Sequence, residues 1–183
     1  MKILFLDVDG VLNSKQHFLA IKGFKVPGAD TLSDADLFAM KRDVAAQNMW
    51  VLGYILDQVP DLKIVISSAW RLHYDIESFK ELFKIYKLDG SRIIGKTPKK
   101  LSSERAHEIR EWLNECNVTN LLEGNRDSCE RWLAVDDHVI FDLGDNMKSN
   151  EFLTDSWVGL TMHDAFKIIK HFHPEYLPPV ILI

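Results

Sequence analysis

Two carboxylates two residues apart, Asp7 and Asp9 in MKILFLDVDGVLN, follow directly on the apolar run of residues 3–6. A short continuous apolar run reads as a strand covered on both faces. On extended backbone, residues two apart project to the same side, so both carboxylates could face one crevice beyond the strand's carboxyl end. Like charges held that close repel unless something positive lies between them. Asp9-Gly10 also reads as an ordinary Asp-Gly turn, and the motif alone does not separate turn from site. Two further runs end in the same way. In LKIVISSAWR (62–71) an apolar stretch gives way to Ser67 and Ser68, and RWLAVDD (131–137) closes on Asp136 and Asp137. Open parallel sheets bind ligands outside the carboxyl ends of their strands, so three such ends point to one site. Asp7, Asp9, Asp136 and Asp137 together would form an acidic pocket that needs a divalent cation, and hard carboxylate oxygens suit magnesium (Mg2+).

The elements that must position these residues alternate. Val44, Asn48, Val51, Ile55 and Val59 recur at helical spacing, predicting one helix over about 36–58 that ends near Pro60. Asp75 is placed to cap a helix with the apolar face Ile76, Phe79, Leu82, Phe83 and Tyr86, which Asp89-Gly90 stops. Residues 92–95 read as a third strand, 103–116 as a helix facing inward with Ala106, Ile109, Leu113 and Cys116, 117–131 as loop, and 152–154 as a fifth strand. Thr161 and Asp164 form a capping box for a last helix with the face Ala165, Ile168, Ile169 and Phe172. This order predicts an α/β fold, a Rossmann-like three-layer α/β/α domain with a mainly parallel central sheet. Residues 13–36 are polar, irregular and long for a connection, and are expected to form a small lid or cap insertion after the first strand of a single domain, 1–183.

Composition sets the limits. At 183 residues and 46% hydrophobic the chain can bury the core of one domain, and a net charge of -5 argues against a broad footprint for duplex DNA or RNA. An anionic substrate must therefore be met by a local device. Cys116 and Cys129 lack zinc-site spacing and are expected to be reduced thiols. With no secretory pattern at the N-terminus and no apolar run near the roughly 18 residues of a membrane span, the expectation is a soluble, cytoplasmic protein. His171 and His173 fall at a helix end, where they would offset the helix dipole rather than bind metal. The apolar tail YLPPVILI is expected to pack as an edge segment.

DVDGV after a strand, a serine after the second strand, a basic residue opening a later helix and DD after a further strand resemble the four motifs of the haloacid dehalogenase-like (HAD) hydrolase superfamily. FLDVDGVLN, ISSAWR, the R..EI..WL pattern and TDSWVGLT are similar to the HAD domain of Swiss Army Knife RNA repair proteins, over residues 2 to about 172. The resemblance implies that Asp7 attacks phosphorus to form an aspartyl-phosphate. Asp9 would protonate the leaving oxygen and later deprotonate water. Magnesium would be held by the Asp7 carboxylate, the Asp9 carbonyl and Asp136, with Asp137 in or beside that shell. Ser67 would donate to a phosphoryl oxygen, with Ser68 beside it, and Gly10 would let the backbone turn closely around the phosphate. Arg105 stands at the family position of the phosphate-balancing base, with Lys96, Lys99 and Lys100 as competitors, and Arg71 could also reach phosphate or form a plain ion pair. Trp70 reads as core rather than as a base-stacking platform; His138 could modulate the acidic pair. The expected function is hydrolysis of a phosphomonoester, either a small phosphorylated molecule such as a nucleotide or the phosphorylated end of a nucleic acid. The alternatives are a phospho-ligand binding module and a phosphotransferase on the same site.

Overall fold

The computed structural model describes residues 1–22, 32–99, 104–122, 129 and 131–179. Five strands, β1 (Lys2–Leu6), β2 (Leu62–Ile66), β3 (Ile93–Lys96), β4 (Arg131–Asp136) and β5 (Glu151–Leu153), form one parallel sheet in the order β3-β2-β1-β4-β5. The helices are α1 (Lys15–Ile21), α2 (Leu32–Asp43), α3 (Ala46–Gln58), α4 (Ile76–Ile85), α5 (Arg105–Leu122) and α6 (Met162–Phe172). The chain runs outward from β1 to β3 and then returns to place β4 on the other side of β1. The strand order therefore reverses at β1 and β4, where a crevice opens beyond the carboxyl ends.

Two cores lie on the two faces of the sheet, sorted by residue parity. Leu4, Leu6, Ile64, Ile66, Leu133 and Val135 join the larger core under α3, α4 and α6. Ile3, Phe5, Val65, Trp132 and Ala134 turn to α5, meeting Ile109 and Leu113. Phe5 stands edge-on to Trp112 at 5.5 Å and to Trp132 at 5.8 Å. The backbone ladder runs one step past the strands: Asp7 N donates to Val135 O, Ser67 N to Leu6 O and Thr97 N to Ile66 O. Continuing the pleat by two residues then sets Asp7, Ser67, Asp136 and Thr97 on the α5 face.

Several local expectations change. The helix foreseen over 36–58 is two helices, because Ala45 gives its N–H to Leu12 O rather than to the preceding turn. Helix α4 stops at Ile85, before Asp89-Gly90: Lys87 adopts φ 59° and Leu88 N returns to Phe83 O, closing the helix end. Asp89 instead caps the short 3₁₀ turn Gly90–Arg92. Helix α5 continues through Leu122, so residues 117–122 are helical rather than loop. The stretch 13–36 is not wholly irregular, since Ser14 accepts from His17 N and starts α1. Cys116 and Cys129 are joined as a disulfide rather than standing as two reduced thiols, because β4 returns the chain beneath α5. The Asp75 cap and the Thr161–Asp164 capping box form as expected. In the tail, Tyr176 hydrogen-bonds Tyr54 through their hydroxyls at 2.7 Å, while residues 180–183 lie outside the described residues, as do Lys100 and residues 23–31 of the expected lid. No helix among the described residues is long and apolar enough to cross a membrane.

Candidate active site

Arg105, the first residue of α5, reaches down onto the sheet edge. Its Nη1 lies 3.2 Å from Asp7 Oδ1 and 2.9 Å from Asp136 Oδ2, and donates to the carbonyl of Ser67. One guanidinium nitrogen thus joins the ends of β1, β2 and β4. Asp7 and Asp136 are 5% and 3% exposed, so their charges are poorly hydrated. Burial, and then repulsion from Asp7, push the Asp136 carboxyl up to about 6, with Arg105 only partly offsetting them. Burial pulls the Arg105 guanidinium the other way, but Asp7 and Asp136 outweigh it and hold its proton more tightly than usual.

Asp9 is held from a different direction. The indole Nε1 of Trp70, on the turn after β2, donates to both carboxylate oxygens of Asp9 at 3.0 Å, and Asn13 Nδ2 adds a bond at 3.1 Å. Burial raises its pKa; the Trp70 bond opposes this, while Asp7 and Asp137 add to it. Gly10 follows with φ 74°, and a Cβ at that position would collide with the Asp137 carboxyl. The glycine therefore makes room for an acidic side chain as well as for the turn. Thr154 Oγ1 donates to Gly10 O at 2.9 Å and fixes this turn to the end of β5. Asp137 shares a 2.5 Å hydrogen bond with His138 Nδ1, and His138 N donates to Asp136 Oδ1 at 2.9 Å.

The structure brings Asp7, Ser67, Asp136 and Arg105 together and keeps Asp9, Gly10 and Asp137 beside them. It does not bring Ser68, Arg71 or Lys96 into that group. Ser68 is buried and caps the 3₁₀ turn Ala69–Leu72, accepting from Trp70 N. Arg71 is buried against Glu108 at 2.5 Å and donates to the carbonyls of Thr97, Ser68 and Pro98. Its guanidinium ties the loops after β2 and β3 to α5. Lys96 has the parity opposite to Thr97, and its Nζ donates to the carbonyls of Arg71 and Tyr74. Lys99 is exposed. His171 bonds Trp132 O and His173 bonds Lys2, at the opposite edge of the sheet.

The roles of three residues escaped the sequence. Trp70, expected as core, orients Asp9; Glu108, within the R..EI..WL pattern, neutralises Arg71; and Thr97, just past an apolar run, stands level with Ser67. A cleft of about 520 Å³ opens on the Asp7, Asp136 and Arg105 side of the site, bordered also by His107, Arg110 and His138.

The donor set fits magnesium. Asp7 and Asp136 are close enough for Arg105 Nη1 to bridge them, burial and then repulsion from Asp7 raise the proton affinity of Asp136, and the cluster of possible ligands among the described residues contains carboxylates and an imidazole but no thiolate to favour a softer ion. Asp136, Asp137 and His138 also offer ligand atoms within 4.8 Å of one another.

Comparison with known families agrees with this geometry. Residues 3–165 match the family described as the HAD domain in Swiss Army Knife RNA repair proteins. No curated protein and no solved structure matches the chain.

Proposed function

Because the chain belongs to the family of HAD domains in Swiss Army Knife RNA repair proteins, we propose that it is a magnesium-dependent phosphatase that hydrolyses a phosphomonoester through an aspartyl-phosphate. The observation that carries the reading is the row of Ser67, Asp7 and Asp136 across neighbouring strand ends, bridged by Arg105 Nη1 at 3.2 Å from Asp7 and 2.9 Å from Asp136.

Asp7 Oδ2 attacks phosphorus while Oδ1 is held by the N–H of Val8 at 2.8 Å. As the bond from phosphorus to the leaving oxygen breaks, Asp9 delivers its proton to that oxygen. Its pKa is shifted upward, by burial and by repulsion from Asp7 and Asp137, which is the direction that favours a general acid. Asp9, now a carboxylate, takes a proton from the water that attacks the aspartyl-phosphate, releasing inorganic phosphate and restoring Asp7. Arg105 and the hydroxyl of Ser67 hold phosphoryl oxygens. Asp7, Asp136 and the Asp9 carbonyl would hold magnesium, with Asp137 beside them, and the ion would offset repulsion between nucleophile and phosphate.

The substrate is a small phosphorylated molecule such as a nucleotide, or the phosphorylated end of a nucleic acid; the net charge of -5 disfavours extended duplex contacts. Residues 13–36 serve as the lid. Supporting this, α1 buries none of its residues and exposes Phe18 and Leu19. Phosphate release from nucleoside monophosphates, sugar phosphates and 3'- or 5'-phosphorylated oligonucleotides, with magnesium or EDTA, tests the reading. Magnesium-dependent turnover abolished by Asp7→Asn is expected. Turnover that survives Asp7→Asn, or silence across the panel from folded protein, would reject it.

A further inference from the structure

Two hydroxyls, one in this row and one next to it, are buried without a hydrogen-bond partner among the described residues. Ser67 and Thr97 are each 2% exposed, and neither Ser67 Oγ nor Thr97 Oγ1 has a hydrogen-bond partner among the described residues. Native interiors rarely leave such groups unmet, and those that remain mark a place for a ligand, an ion or a water. Register relates the pair. Ile66 pairs with Lys96 and Thr97 N donates to Ile66 O at 3.0 Å, so the next step sets Thr97 beside Ser67 on the same face. Neighbouring strands lie about 4.8 Å apart, which places one hydroxyl within a rotamer change of the other.

Thr97 is also held in place from outside the ladder. Arg71 Nε donates to Thr97 O at 3.1 Å, and Arg71 is anchored by Glu108 on α5. The same α5 carries Arg105, which donates to the carbonyl of Ser67. The backbones that carry the two hydroxyls are therefore fixed relative to each other and to the site by one helix.

A serine hydroxyl has one proton to give and two lone pairs to receive. With no neighbour, nothing sets the direction of the Ser67 proton. We propose that Thr97 is a positioning residue for phosphate recognition: when phosphate binds, its hydroxyl turns to donate to Ser67 Oγ, a bond the ligand-free structure does not make, leaving the Ser67 proton to point at a phosphoryl oxygen. The donated bond also polarises Ser67 and makes it a stronger donor. Thr97 acts through Ser67 and does not itself touch the phosphate. The inference rests on the phosphomonoester reading above and adds a residue that the four motifs do not contain.

A double-mutant cycle with Thr97→Val, Ser67→Ala and the combined variant tests it. The probe is inorganic phosphate with magnesium, titrated calorimetrically, together with KM and kcat for a chromogenic aryl phosphate. Thr97→Val is expected to weaken phosphate binding roughly three- to ten-fold, as for the loss of one net hydrogen bond. Thr97→Ser should restore it, and Thr97→Val should change nothing once Ser67 is alanine. Ligand-free Thr97→Val should unfold at a denaturant concentration no lower than wild type, since an unpaired hydroxyl is exchanged for a methyl. Should Thr97→Val fail to fold, Thr97→Ala set against Thr97→Ser makes the same comparison. An equal loss in the Ser67→Ala background, or phosphate binding indifferent to Thr97→Val, overturns the positioning role while leaving the phosphatase reading intact. Wild type that binds no phosphate overturns both.

Discussion

Replacing Asp136 by Asn should stabilise the metal-free protein near neutral pH while destroying its activity. In the folded chain the Asp136 carboxyl is pushed up to about 6 from an ordinary 3.8, by burial and by Asp7. A shift of about two pH units corresponds to about 3 kcal/mol between the two protonation states. The sign follows from proton binding. The folded state holds this proton more tightly than the unfolded chain, so the contribution is fully present below about pH 4 and is lost as pH rises through about 6. Asparagine carries no charge to repel, but it has one acceptor oxygen where Asp136 uses two, for Arg105 Nη1 and His138 N. Facing one donor with an amide NH2 costs about 1 kcal/mol. With EDTA, Asp136→Asn should thus be more stable than wild type by about 1–2 kcal/mol near pH 7.5, and slightly less stable near pH 4. The assay is urea unfolding of both proteins across this range. The decisive quantity is the difference between them, because groups that titrate alike in both proteins cancel. A difference that stays flat with pH would refute the argument that burying the Asp136 charge beside Asp7 opposes folding.

Other perturbations bear on separate parts of the site. Gly10→Ala places a Cβ against the Asp137 carboxyl at a positive φ; it should cost about 2 kcal/mol or more by thermal melting and weaken magnesium binding in a direct titration. Trp70→Phe removes the indole N–H that lowers the proton affinity of Asp9. The alkaline limb of kcat/KM should therefore move to higher pH, with turnover reduced roughly ten-fold; an unmoved limb would sever Trp70 from Asp9. Glu108→Ala leaves Arg71 charged and buried. Denaturant unfolding should record a loss of about 3–5 kcal/mol, against under about 0.5 kcal/mol for Glu77→Ala in the exposed pair with Lys80.

What could be read from the amino acids alone were features of the chain's own neighbourhood. Asp7, Ser67 and Asp136 were legible because each ends an apolar run, and the parallel sheet converts three such endings into one row. The Asp75 and Thr161 caps were legible because their partners lie three residues away. Arg71 illustrates the other case: its spacing from Ser67 admits a phosphate contact, but its fate depends on Glu108, thirty-seven positions later on another element. The Trp70 bond to Asp9 likewise spans sixty-one positions. The break between α2 and α3 was hidden because the apolar stripe runs on across Val44 and Ala45, and only the Leu12 carbonyl diverts the backbone.

Because the reactive side chains hang on one face of the sheet and most of the apolar mass lies under the other, the molecule separates how much of it folds from how well each folded copy works. Trimming Leu52 or Ile168, deep in the larger core, should lower the yield of native protein yet leave the rate per native molecule nearly intact. The thinner layer beneath α5 has no such latitude. There Phe5, Trp112 and Trp132 set the height of the helix that carries Arg105, so a lost methylene would be felt twice, once as stability and once as aim. A survey of random substitutions that scores abundance and turnover separately would accordingly draw the plane of the sheet: variants on one side would scatter along the abundance axis alone, and those on the other along the diagonal.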